Sequence, residues 1–230
     1  DTHRGAHPLQ MLLEPGAHGD ILESFIRAYE QSGWLHDFPD QGGGRPCMLG
    51  SHTTVLFADA LAHGMPFDLE RAYRAVRHAH FEGSLIPWHI GPATELDRCY
   101  HKNGFFPALH PGEEESVAEV HSFERRQSVA VTLEQAYDDC CAASLAQNAL
   151  EPGDAEVLKQ RSQNYKKLFD AEIKFMAPRD AAGEFIRPFD PKLGYAQGGR
   201  DYYAECNAWV YTMEVRHDVA GLADLFGSKE

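Results

Sequence analysis

The sequence predicts a mainly α-helical unit, an incomplete (α/α) six-hairpin toroid with long loops on one rim. Three observations predict it. Apolar residues recur at helical spacing in segment after segment. The connectors alternate: GMPF and LEPG are short, whereas those after Gly33, Phe81 and Asp170 are long. The helices near His52, Thr132 and Glu205 each follow a long loop, which puts their N-termini on one functional rim. About seven or eight helices fall short of the twelve in a closed ring, so the unit is read as partial. No linker or low-complexity tract divides it, and residues 1–230 are one domain.

Taken in order, Ile21, Leu22, Phe25, Ile26 and Tyr29 mark an amphipathic helix from Asp20 to Gln31, with Gly33 as its stop. The next stretch, SGWLHDFPDQGGGRPCMLGSH, has loop chemistry. Ser51 or His52 opens a second helix closed by Gly64, and Asp68 caps a third with Leu69, Tyr73 and Val76 on one face. From Phe81 to Val131 the prolines, glycines and the acidic run Glu113–Glu115 read as solvated loop. Thr132 with Gln135 fits a capping box opening the next helix, whose buried face is Leu133, Ala136, Tyr137, Cys140, Cys141 and Leu145. The EPGD turn leads into a helix carrying Val157, Leu158, Tyr165 and Leu168. A loop from Arg187 to Arg200 follows, and a last helix runs through Val219, Leu222 and Leu225 to Gly227.

Composition excludes some functions. A net charge of −14 without Lys or Arg clusters disfavours nucleic acid or an anionic membrane as partner. Acidity suits a neutral substrate and a divalent cation. The apolar and charged shares, 43% and 24%, are those of a globular protein, and no apolar run is long enough for a membrane span. Five cysteines, two of them adjacent, do not suggest a disulfide framework, and the histidines show no HExxH spacing.

The chemistry concentrates in RDYYAECNAWVYTMEVRHD, residues 200–218. Glu205 amid Tyr202, Tyr203, Trp209 and Tyr211 has the composition of a sugar site: flat apolar faces for a pyranose, a proton donor, and Asn207 for a hydroxyl. An ordinary aromatic core helix with one exposed Glu fits the same residues. Asp1 and Arg4, three apart, can grip vicinal hydroxyls or form a surface ion pair. His52 reads as a helix cap, a packing residue or a site residue. Asp138 and Asp139 point about 100° apart on a helix, so at most one faces a cavity.

AECNAWVYTMEVRHDVAGL resembles the EGNAW and PHD segment of glycoside hydrolase family 92, the calcium-dependent exo-acting α-mannosidases. DTHRGAHPL, SGW, CMLGSH, AYDD, RSQNYKKLFD and RPFDP agree in the same order, over essentially the whole chain. The resemblance implies an internal part of a catalytic domain, with a preceding β-sandwich and the rest of the toroid outside these residues. It implies inverting removal of terminal α-linked mannose, α-1,2 above all, from N-glycans or mannans, in a secreted, periplasmic or cell-surface protein. Glu205 matches the general acid. Asp1, Arg4, Trp34, His52, Tyr203, Asn207, Trp209, His217 and Asp218 match the pocket region. The base and the principal calcium ligands lie in downstream motifs that are absent here, so the 230 residues alone are expected to be inactive. Placed in a first helical turn, Glu205 meets a dipole favouring its charged form, so burial among Trp209 and the tyrosines has to keep it protonated. Cys206, Val210 and Arg216 replace the usual Gly, Gln and Pro. A toroid glycosidase acting on glucosides and a non-catalytic glycan-binding relic are the competing readings.

Overall fold

The structure, a computed structural model, describes residues 2–40, 43–194 and 199–227. It is mainly helical, with nine α-helices among the described residues. These are α1 (Ala6–Leu13), α2 (Pro15–Ser32), α3 (His52–Ala62), α4 (Leu69–Phe81), α5 (Glu95–Asn103), α6 (Ser128–Asn148), α7 (Pro152–Arg161), α8 (Ala208–Tyr211) and α9 (Val219–Leu225). Two antiparallel pairs of two-residue strands, β1 (Pro39–Asp40) with β2 (Gly43–Gly44) and β3 (Phe169–Asp170) with β4 (Phe175–Met176), punctuate the loops. Among the described residues no helix is long and apolar enough to cross a membrane.

Helix ends follow their local chemistry. Pro15 opens α2, where its missing N–H costs nothing, and Gly33 closes it at φ 82°, a left-handed conformation that glycine adopts without strain. Asp68 caps α4 by accepting the Arg71 N–H, as the sequence predicts.

Helix α6 organises the rest. Its 21 residues are buried on nearly every side, and it contributes to three apolar clusters. Ala142, Leu145 and Ala146 pack with Leu22, Phe57 and Val76 of α2, α3 and α4. Leu133 and Ala136 pack with Tyr165, Met176, Tyr203 and Val215, and Val131 packs with Tyr100 and Phe106. Each fully buried Leu contributes about 1.5–3 kcal/mol, so α6 positions every polar side chain it carries.

Three expectations are corrected. Helix α6 starts at Ser128, not Thr132. The Thr132 hydroxyl instead donates to the Ser128 carbonyl and accepts the Phe106 N–H, both at 2.9 Å. The stretch read as loop after Phe81 contains α5, started by a capping box in which Asp97 accepts the Thr94 N–H at 2.6 Å. Helix α7 begins within the EPGD turn and ends at Arg161, so Tyr165 and Leu168 belong to a separate 3₁₀ turn, Asn164–Leu168.

Candidate functional site

Two acids from outside α3 hold its first turn. The Ser51 N–H donates to Asp138 Oδ2 and the Thr53 N–H to Asp37 Oδ1, each at 2.6 Å. The Ser51 side chain makes no cap of its own. Burial pushes the Asp37 carboxyl up and that of Asp138 up to about 6. Asp138 Oδ1 is buried without a partner.

Between these acids, His52 Nε2 lies 3.2 Å from Glu134 Oε2, and the Arg216 guanidinium donates to the same oxygen at 3.0 Å. Arg216 also bonds Glu214 at 2.9 Å, and Glu214 lies 3.8 Å from Arg4. The His3 ring lies against His52, centroids 4.2 Å apart. Burial pulls the His52 imidazole down, but the Glu134 hydrogen bond and the charges of Asp138, Glu134 and Asp37 outweigh it and hold it above its ordinary value. Burial pushes Glu134 up, but His52 and Arg216 outweigh that, and its carboxyl is held low. His3 is driven down to about 3 by burial and by the neighbouring cations.

A second network lies behind the first. Arg161 forks onto both oxygens of Asp139 at 3.0 Å, and His80 and Gln135 bond Asp139 Oδ1 at 2.8 and 2.9 Å. Asp138 and Asp139 therefore serve different neighbours, as their helical positions require.

The 200–218 stretch carries the other predicted residues. Tyr203 is 1% exposed and donates its hydroxyl to the Met176 carbonyl at 2.7 Å. Asn207 caps α8 by accepting the Trp209 N–H. Between them Glu205 sits at φ 55°, a left-handed position that is strained for a non-glycine residue. Glu205 is exposed and in a bend, which corrects its expected place in a buried first helical turn. Its charge reaches the Cys47 thiol, which burial, with the acids Glu124 and Glu205, holds up against Arg45. Cys47, Trp34, Asp37, Ser51 and Gln135 line a cavity of about 90 Å³.

Asp1 lies outside the described residues. Arg4 is half exposed and joins His52 through Glu214, Arg216 and Glu134. Trp34 stacks on His78, centroids 4.9 Å apart, and borders the cavity. Trp209 is 58% exposed, edge-on to Phe175. His217 lies 2.8 Å from the Ser162 carbonyl, and burial pulls its imidazole down. Asp218 caps α9 and accepts the Tyr165 hydroxyl at 2.7 Å. Of these residues only His52 and Arg4 are joined, through Glu134, Arg216 and Glu214, and they do not form one pocket with Glu205. Sequence reasoning missed Glu134, Glu214, Arg216 and Asp37 as partners. The stripe Glu134, Tyr137, Asp138 and Cys141, at helical spacing along one face of the helix, was the available signal. Among the described residues no three His, Cys, Asp or Glu side chains converge as a metal cage. Calcium takes six to eight oxygens, so these residues do not by themselves fit it.

Among solved structures the chain is similar to a family 92 inverting mannosidase of Bacteroides thetaiotaomicron, at 29% identity and TM-score 0.81, covering 99% of this chain and 28% of that one. It is similar to a family 92 α-mannosidase of the same organism in complex with mannoimidazole, at 27% identity and TM-score 0.80, again covering 99% and 28%. A third member of the family shares 17% identity at TM-score 0.62 over 96% of this chain and 26% of that one, a likeness of fold alone. Among curated proteins nothing matches. The mainly helical fold shared with these enzymes places the chain in the class of glycoside hydrolase catalytic domains. The model of the glycosyl hydrolase family 92 catalytic domain matches residues 1–230, and the chain belongs to that family. It spans about 28% of the length of the first two of these relatives.

Proposed function

We propose that the full-length protein removes terminal α-linked mannose, α-1,2-linked in N-glycans or mannans, with inversion and with Glu205 as general acid. The observation that carries this reading is the place of Glu205: an exposed carboxyl at a strained turn, preceded by the anchored Tyr203 and followed by the exposed Trp209. Likeness to an inverting mannosidase and to a mannosidase bound to mannoimidazole supports the sugar assignment. In this reading residues 1–230 are part of a larger (α/α) toroid preceded by a β-sandwich. The open face of Glu205 is then closed by bound sugar and by the remaining chain, which excludes water from the acid. Inversion requires a base roughly 6.5–9.5 Å from the acid to activate water on the opposite ring face, and that base is assigned to a segment beyond these residues. Arg4, His52, Asn207 and Trp209 bind or orient the sugar. His217 and Asp218 hold the wall behind them. Calcium belongs to the reading only through the family resemblance, with ligands supplied by other segments.

The test is mannose release from α-1,2-mannobiose by the full-length protein, with calcium and with chelator, beside a glucoside and the Glu205→Gln variant. Release from the mannoside alone, abolished by chelator and reduced roughly 100-fold or more in Glu205→Gln, is expected. Absence of release, or equal release by the variant, overturns the assignment.

A further inference from the structure

The chain has a buried carboxylate that none of the sugar-site assignments uses. Glu134 stands in the second turn of α6 and is 8% exposed. A single oxygen, Oε2, receives both His52 Nε2 at 3.2 Å and Arg216 Nη2 at 3.0 Å. Its two donors come from less regular segments, His52 from the first turn of α3 and Arg216 from the loop after α8. The acceptor is therefore the fixed point and the donors are what it fixes. Arg216 in turn shares Glu214 with Arg4 and lies over the Tyr137 ring, 4.5 Å from its centroid.

We propose that Glu134 is a positioning residue of the sugar site, fixing His52 and Arg216 through one carboxylate oxygen and Arg4 through Arg216 and Glu214. The inference rests on the mannosidase reading, because that reading is what gives Arg4 and His52 a sugar to meet. Glu134 touches no reacting atom. It acts by keeping two donors at a set distance from each other, so its loss loosens substrate binding more than it slows bond cleavage. A charge-assisted hydrogen bond contributes enough for about a tenfold effect or more on binding.

The charges around His52 give a second readout. It faces Glu134 and Asp138 of α6, Asp37 of the preceding loop, His3 of the N-terminal 3₁₀ turn and Arg216, with His80 of α4 beyond Asp37. Removing the Glu134 charge lowers the His52 titration midpoint, whereas removing the Arg216 charge raises it. Structural collapse would not move one imidazole in opposite directions in two variants.

The experiment uses the full-length protein and its Glu134→Gln and Arg216→Gln variants. KM and kcat are measured on an aryl α-mannoside, and the His52 imidazole is titrated by NMR. Expected are a KM raised about tenfold in both variants with kcat within about threefold, a lower His52 midpoint in Glu134→Gln, and a higher midpoint in Arg216→Gln. Where Glu134→Gln folds poorly, Arg216→Gln carries the test, since it leaves the Glu134 carboxylate and its His52 bond in place. An unchanged KM in an active, folded variant overturns the proposal and leaves Glu134 a core carboxylate. Failure of the wild type to cleave any mannoside sinks the mannosidase reading and this role with it. Shifted titrations would then show that the network is structural only.

Discussion

Asp138 Oδ2 accepts the Ser51 backbone N–H at 2.6 Å, so the residue that leads into α3 is held by the middle of α6, while the Thr53 N–H of the helix's first turn goes to Asp37. This contact ties the helix that starts at His52 to the most buried element of the fold. It also forces a carboxyl into a site from which water is excluded.

That burial predicts a pH signature. The Asp138 carboxyl is raised from 3.8 to about 6, chiefly by desolvation. The fold therefore favours its neutral form, and the destabilising effect is absent below the unfolded value and grows as pH rises through the folded one. It reaches roughly 3 kcal/mol at neutral pH. Asp138→Asn keeps an acceptor for Ser51 but leaves an amide at the unpartnered Oδ1 position, which offsets part of the gain. The expected result is a variant whose melting temperature, relative to wild type, improves between pH 4 and pH 7.5. A difference independent of pH would contradict the burial argument.

Asp218 separates a structural role from a substrate role. It accepts the Gly221 N–H at 2.9 Å and the Tyr165 hydroxyl at 2.7 Å, and the Tyr165 bond is the main cause of its lowered carboxyl value. Asp218→Asn preserves the cap and is expected to melt within about 0.5 kcal/mol of wild type, whereas Asp218→Ala costs about 1 kcal/mol. Chemical denaturation checks both. Equal stability of the two variants would return Asp218 to a purely substrate-facing role.

The helical framework was legible because its signals are local. The 3.6-residue period of Ile21 to Tyr29, Gly33 as a left-handed stop and Asp68 as a cap all act within one turn of where they stand. Helix α5 was obscured because prolines and glycines surround it, although the Thr94 and Asp97 pair encodes its start. The start of α6 was misplaced because Thr132 carries cap chemistry yet spends it on the Ser128 carbonyl inside a helix buried all round. The site residues divide in the same way. Asn207 and Asp218 are caps, a role that spacing reveals. Glu134 with Arg216 and Asp138 with Ser51 pair across more than eighty sequence positions, and no periodicity encodes such contacts.

The bidentate pair of Arg161 and Asp139 makes the strongest stability prediction. Asp139 is fully buried, and Arg161, His80, Gln135 and Tyr100 all direct donors at it. Asp139→Ala leaves the Arg161 charge without its partner in a dry site, which costs about 3–5 kcal/mol. A loss below about 1 kcal/mol in denaturant melts would mean that water reaches the site.

Trp209 tests the sugar wall with little interference from folding. It is 58% exposed and contacts Phe175 only edge-on, with centroids 5.0 Å apart, whereas Tyr203 and Tyr211 of the same stretch are buried and committed to the core. An indole that covers so little of the core contributes little to stability, so Trp209→Ala is expected to cost less than about 1 kcal/mol in a melt. Its open face suits the apolar side of a pyranose, and loss of one stacking partner weakens binding by about 0.5–1.5 kcal/mol. The full-length variant should therefore show a KM for α-mannosides raised about three- to tenfold with its melting temperature nearly unchanged. A large drop in stability would make Trp209 a core residue of the assembled domain. An unchanged KM would remove Trp209 from the proposed sugar site.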